Sequence, residues 1–171
     1  MQVTADKLED TAEKMGISAI KYFDLKQNRV QNYVFSFDKM LDPKGNTGVY
    51  LLYMYVRVGS ILEKSSHGTG EALAKLKKES EGFKITNQSE KELALAILRL
   101  PEQLELAVSD LQINRVCDLV YEIAVKIAEF YNISKVVGSQ EEESRVLLLE
   151  ATKKVMAKAF DLLGMKTIDR I

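Results

Sequence analysis

Two hydrophobic periods divide this chain, and they change over near residue 45. Ahead of that point, Tyr33, Phe35 and Phe37 alternate with Val34 and Ser36, which predicts an extended run over Asn32–Phe37. The run breaks at Pro43 and Gly45 within a 42–48 turn. Beyond it the period becomes 3.6, and residues 48–64 predict one helix with Tyr50, Tyr53, Arg57 and Ile61 along one side. A change of period across a turn marks a domain junction or the mouth of a site.

The same criteria organise the rest. Thr4 caps a short helix with Leu8, Ala12 and Met15 inward and Gly16 as its stop, and a second short helix follows with Ile17, Ile20 and Leu25 inward. No segment before residue 45 makes a core of its own, so this part is expected to pack on something larger. After residue 64, a glycine-containing linker holding His67 leads to a charged helix at 71–79 and a polar loop at 80–88. Ser89 with Glu92 reads as a capping box opening a helix through Leu100, and Pro101 starts the next, to about Asp110. Residues 112–131 carry the clearest amphipathic pattern, with Val116, Leu119, Val120, Ile123, Ile127, Phe130 and Tyr131 at i, i+3, i+4 spacing. A loop at 132–138 follows. Ser139 with Glu142 reads as a second capping box, opening a helix that Gly164 stops. About five helices after residue 47, and no strand after Phe37, predict an all-α helical bundle preceded by a short mixed segment.

Composition narrows the possibilities. Apolar residues make up 46% of the 171, enough for a real core, while 24 basic and 25 acidic residues nearly cancel. Such balance argues mildly against nucleic acid, so any RNA binding must come from local geometry. Cys117 is the only cysteine and His67 the only histidine, so neither an intrachain disulfide nor a His/Cys zinc site is available. Cys117 lies among Val116, Leu119 and Val120 and is expected to be a buried small apolar residue. No signal peptide or membrane-spanning run is found, and the cytoplasm is the expected location.

Catalytic patterns are absent: there is no GxxxxGK[ST], GxGxxG, HExxH or GxSxG. Glu141, Glu142 and Glu143 are consecutive and point in different directions from a helix, so they complement its dipole rather than gather a metal. Tyrosines remain. Tyr50 and Tyr53 share a helix face with Arg57 a turn further on, and Tyr131 ends its helix where the chain enters a loop. Aromatic rings beside an arginine are what unstacked bases use for stacking. Tyrosines at this spacing equally serve a core or a protein-interaction surface, so the residues alone reach a helical domain with an aromatic face.

A longer set of blocks narrows this further. SAIKYFDL at 18–25, Asn28–Arg29, YVFSFDKMLD at 33–42 and GNTGVYLLY at 45–53 with Arg57 and Ser60 keep order and spacing. They continue in Leu100–Pro101, in Phe130–Asn132, in Arg145 with Leu147, and in Leu162–Gly164 near a closing Asp169–Ile171. Together these blocks resemble the C-terminal part of the arginyl-tRNA synthetases of eukaryotic type. The resemblance implies that residues 1–46 are the end of a class I catalytic region, in the segment that contacts the tRNA stem, and that 47–171 are an α-helical anticodon-binding domain. It implies tRNA(Arg) as partner, together with the catalytic domain of the same polypeptide. The full enzyme joins L-arginine to its tRNA with ATP and magnesium. None of that pocket lies in this chain, so no cofactor and no aminoacylation are expected of it alone.

Candidate tRNA-contacting residues follow position by position. Tyr50, after Thr47–Val49, matches an anticodon-loop contact, with Tyr53 and Arg57 on the same face, and Tyr131 matches a base-stacking residue. Lys135 stands where some relatives carry an aromatic, which would exchange stacking for a phosphate contact. Asn28 and Arg29 would contact the tRNA backbone near its stem. Ile171 stands where the family commonly ends in methionine, an aliphatic replacement still able to supply apolar contact. The rival reading is a helical protein-interaction domain with a tyrosine-rich interface.

Overall fold

The computed structural model describes residues 7–80 and 84–171. Among them are eight α-helices and no strand: α1 (Leu8–Leu25), α2 (Phe37–Leu41), α3 (Gly48–Lys64), α4 (Gly70–Glu79), α5 (Gln88–Leu98), α6 (Leu100–Asp110), α7 (Asn114–Ile133) and α8 (Glu142–Leu162). Six of these follow residue 47, one at each helical stretch expected there, against an expected sum of about five. The cap expected at Thr4 lies outside the described residues.

The first helix departs most from the expected pattern. Chain 8–25 is one helix running through Gly16, not two. Interior glycine costs about 1 kcal/mol relative to alanine, a penalty that packing of α1 on α3 offsets. Its buried face is Ser18, Ala19, Tyr22 and Phe23, whereas Ile17 and Ile20 are 43% and 52% exposed and Leu8 and Ala12 also face out. The reason lies in Gly48, the first residue of α3. A Cβ there would sit 3.0 Å from the Ala19 Cα, 3.1 Å from the Ser18 carbonyl oxygen and 3.2 Å from the Tyr22 Cβ. Backbones this close leave room only for small residues at the crossing, so Ser18 and Ala19 take the contact and the isoleucines turn away.

Residues 32–36 form no strand and Phe37 already opens α2, so the alternating aromatics do different work. Rings of Tyr33 and Phe35 meet Phe23 edge-on, with centroids 5.8 and 5.5 Å away, and Phe35 meets Phe37 at 4.9 Å. A small core of Ala19, Phe23 and Met40, with Val49 packed against it, closes this corner. The turn then hands over to α3 through Thr47. Its hydroxyl donates to the Asp42 carbonyl (2.6 Å) and accepts from the Tyr50 amide (3.1 Å), capping the helix.

The main core surrounds α7, which packs against α3, α5, α6 and α8. Its buried stripe of Val116, Leu119, Val120, Ile123, Ile127 and Phe130 is the one its spacing predicts, and Cys117 is fully buried among them. Each large side chain buried in this way contributes roughly 1.5–3 kcal/mol. Helix α8 adds Leu148, Leu149, Met156 and Phe160, with Val155 only partly covered. The Tyr22 hydroxyl donates to the Asn46 side-chain oxygen (2.5 Å) and approaches the Cys117 carbonyl (3.1 Å), tying α1 to this core.

Neither expected capping box forms at its expected residues: the first is shifted and the second is absent. For α5 the cap is Asn87, whose Oδ1 accepts from the Glu90 amide (3.1 Å), while the Glu90 carboxylate reaches back to the Thr86 amide (2.6 Å). Ser89 instead donates to Asn87 (2.7 Å), and Glu92 pairs with Lys126 (2.7 Å). Asn followed at the third place by Glu satisfies the same pattern as Ser with Glu, and burial of Glu90 selected between them. For α8, Ser139 donates to the Val136 carbonyl (2.9 Å) and makes no cap, whereas Glu142 accepts from the Gly138 amide (2.5 Å) and from the Ser65 hydroxyl (2.6 Å). That second bond ties down the linker after α3. At its far end α8 stops as expected: Gly164 takes φ +67°, and the Met165 amide bonds the Phe160 carbonyl at 2.8 Å. The tail then folds back on α1, with the Lys166 amide donating to Ser18 Oγ (3.0 Å) and Lys21 Nζ to the Gly164 carbonyl (2.7 Å). Among the described residues no helix is long and apolar enough to cross a membrane.

Candidate functional site

Helices α3 and α7 lie side by side, and the groove between them brings the predicted aromatic residues together. Tyr50 and Arg57 sit on α3 two turns apart, and Tyr131 is in the last turn of α7. Arg57 reaches across the groove and lays its guanidinium over the Tyr131 ring, 3.8 Å from carbon to centroid. Such stacking on an exposed ring contributes about 0.5–1 kcal/mol and holds the ring in a set orientation. Tyr131 is still 43% exposed, so the ring remains open to solvent despite the stacked guanidinium.

Tyr50 meets α7 at an earlier point. Its ring lies 6.2 Å from that of Tyr121 at 64°, an edge-to-face contact. Burial raises the Tyr50 hydroxyl pKa, Tyr121 adds to the rise, and the nearby Arg57 charge opposes it. The phenol therefore stays protonated near neutrality and able to donate. Tyr53, on the same helix, is 46% exposed.

Tyr121 is the residue that sequence reasoning missed. A signal for it was present, because ten residues separate it from Tyr131 on one helix, close to three full turns. Nothing in the sequence set it against Tyr50, which requires knowing how α3 lies on α7.

Past Tyr131 the chain leaves α7 as an alternating segment. Ile133, Lys135 and Val137 are exposed, while Ser134 and Val136 are buried. Lys135 thus presents its ammonium to solvent close in sequence to the Tyr131 ring. The arrangement offers a planar apolar surface with a delocalised cation on it, and an exposed point charge four residues further along the chain.

The remaining candidates lie elsewhere. Asn28 and Arg29 follow the end of α1, where Asn28 Oδ1 accepts from the Val30 amide (3.1 Å) and Arg29 is exposed. Among the described residues no hydrogen bond or ring contact joins them to the tyrosines. Ile171 ends the tail that docks on α1, and Ile168 in that tail is buried. Among the described residues no group of three or more His, Cys, Asp or Glu side chains could hold a metal ion. Cys117 is not a nucleophile either, since burial and then Asp118 push its thiol up to about 12.

Comparison with known proteins agrees with this architecture. A family model described as the DALR anticodon binding domain matches residues 51–171, and one described as the catalytic domain of class I (R) tRNA synthetases matches residues 1–37. An arginine–tRNA ligase of Arabidopsis thaliana, chloroplastic/mitochondrial, is 44% identical over 168 residues, covering 98% of this chain and 25% of that protein. The cytoplasmic arginine–tRNA ligase of Xenopus tropicalis is 40% identical over 177 residues, covering 99% of this chain and 26% of its own length. Among solved structures, the arginyl-tRNA synthetase of Plasmodium falciparum superposes with a TM-score of 0.84 at 35% identity, over 95% of this chain and 28% of the other. The chain spans about a quarter of the length of the curated relatives it matches. With most of its length matched by that anticodon-binding model, and with relatives named as arginine–tRNA ligases, the chain belongs to the DALR anticodon binding domain family.

Proposed function

We propose that this chain is the anticodon-binding part of an arginine–tRNA ligase and that the α3–α7 groove receives the anticodon loop of tRNA(Arg). The observation that carries this reading is the Arg57–Tyr131 stack beside Tyr50 and Tyr53. A ring held by a guanidinium, with much of its surface exposed, is a platform for an unstacked base. Tyr50 and Tyr53 supply further ring surface and hydroxyl donors, and Lys135 supplies a phosphate contact. Phosphate contacts position the RNA, and contacts to base edges distinguish one anticodon from another.

Residues 1–46 are read as the end of the catalytic region, with Asn28 and Arg29 toward the tRNA backbone and Ile171 as an apolar contact near the anticodon. The remainder of that region, in the same polypeptide, would cover the exposed apolar side chains around Phe35. Joining arginine to tRNA with ATP and magnesium is assigned to the longer protein, in the cytoplasm, because this chain spans about a quarter of the length of the relatives it matches. This chain alone is expected to bind tRNA weakly and not to aminoacylate it.

The test is the affinity of the chain for a tRNA(Arg) transcript against a copy altered in the anticodon. Tyr131→Ala should weaken binding of the unaltered transcript by about 1–3 kcal/mol, the value of one base–aromatic stack. Affinity should also fall steeply as salt rises, through release of counterions. Equal affinity for both transcripts, untouched by Tyr131→Ala, would falsify the site, and a flat salt response would favour the protein-interaction reading.

A further inference from the structure

The segment that follows α7 has no regular structure from Ser134 onward, yet it is held at several points by side chains from elsewhere in the bundle. The central one is Arg145 of α8. Its Nη1 donates to the Lys135 carbonyl (2.7 Å) and its Nε donates to Glu90 Oε1 (2.8 Å). Glu90 is 2% exposed and the Arg145 side chain 11% exposed, so this ion pair lies under the loop and not on the surface. The carboxylate is fully occupied: it also accepts from the Thr86 amide (2.6 Å), the Thr86 hydroxyl (3.0 Å) and the Asn87 side-chain amide (3.0 Å). A second tether runs from Asn87 Nδ2 to Ser134 Oγ (2.9 Å), and a third from the Gly138 amide to Glu142 (2.5 Å).

The tethers grip the loop at Ser134, Lys135 and Gly138, while the side chains of Ile133, Lys135 and Val137 stay outside. A buried ion pair is a poor source of net stability, because desolvation offsets its attraction. Its planar fork, however, orients two acceptors at once, which an ammonium cannot do. We propose that Arg145, held by Glu90, is a positioning residue that sets the loop from Ser134 to Gly138, and with it the exposed Lys135, for an RNA that stacks on Tyr131. It touches no RNA itself. The proposal rests on the RNA-facing reading of the α3–α7 groove, which it deepens.

The experiment compares Arg145→Lys, Ser134→Ala and Tyr131→Ala in this chain, with a tRNA(Arg) transcript and its anticodon-altered copy as probes. Arg145→Lys keeps the charge and loses the fork. Its affinity for the unaltered transcript should fall roughly tenfold, within the range of one lost stacking contact, with the altered copy bound as before. Mere destabilisation would scale both affinities alike. In the free protein, amide exchange over Ser134–Ser139 should lose protection while the middle of α7 keeps its own. Ser134→Ala, a small change at a separate tether, should move both readouts the same way and decides the matter if Arg145→Lys fails to fold. Discrimination lost in Tyr131→Ala but kept in both tether variants overturns the positioning role alone. No discrimination by the unaltered chain, or none lost in any variant, overturns the groove reading and this inference with it.

Discussion

Residues 8–41 and 48–171 treat their apolar side chains in opposite ways. Nine of the 21 exposed large hydrophobic residues among those described fall within the first, shorter region, from Leu8 to Leu41. The second buries its apolar stripes around α7 in one continuous core, to which the first adds Tyr22, while the first closes by itself only the small cluster of Ala19, Phe23 and Met40. Among the described residues exposed ion pairs occur in both regions, and the second adds a buried one. Lys14–Asp10 on α1 is 40% and 62% exposed, a pair of little worth to stability, whereas Glu90–Arg145 is buried. One region closes a large core, and the other leaves many of its apolar side chains exposed. Under the function proposed above, the rest of the catalytic region covers them, and the two family matches meet between these same regions.

The sharpest way to break this comparison is to remove one aromatic ring from each side. Phe130→Ala empties a fully buried site in α7 and should cost about 3–5 kcal/mol. Phe35→Ala removes a ring that is nearly half exposed and should cost under about 1 kcal/mol. Urea unfolding of the two variants measures both, and equal losses would mean that the first region is as well packed as the second.

Next in size is the buried pair. Glu90→Gln leaves the Arg145 charge without its carboxylate and should cost about 3 kcal/mol at neutral pH. A pH dependence goes with it. Burial alone would raise the Glu90 pKa, but hydrogen bonds from the Thr86 amide and from Arg145 outweigh it and hold the group below its ordinary value of 4.5. A folded-state pKa below the unfolded one gives stability that is present above 4.5 and drains as pH falls through the folded value. Unfolding midpoints measured from neutral pH down to about pH 3 should fall less steeply in Glu90→Gln than in the unaltered chain.

A smaller effect than loss of the buried pair is expected where the two regions touch. Gly48→Ala places a Cβ against the backbone of Ser18 and Ala19, which cannot swing aside, and should cost about 1–3 kcal/mol as overpacking. A thermal melt reads this directly. A stabilised variant would show that α1 can ride up on α3 freely and that the contact is loose.

Much of this molecule was legible before any coordinates, and the exceptions share one cause. Period 3.6, the proline of α6 and Gly164 marked the helices after residue 47 because each acts through neighbours in the chain. The aromatic side of α3 was visible for the same reason. Period and capping chemistry are local, so the sequence by itself determined that α7 has a buried stripe and that Tyr131 stands at its end. Only tertiary structure decided what meets that stripe. It set Tyr121 against Tyr50, drew Arg57 onto Tyr131, and chose Asn87 and Glu90 over Ser89 and Glu92 as the cap of α5. It also turned Ile17 and Ile20 outward, since the distance between α1 and α3 admits only small residues where they cross. A repeat along one helix names a face, but the choice among residues able to fill it belongs to whatever the neighbouring helix brings into contact.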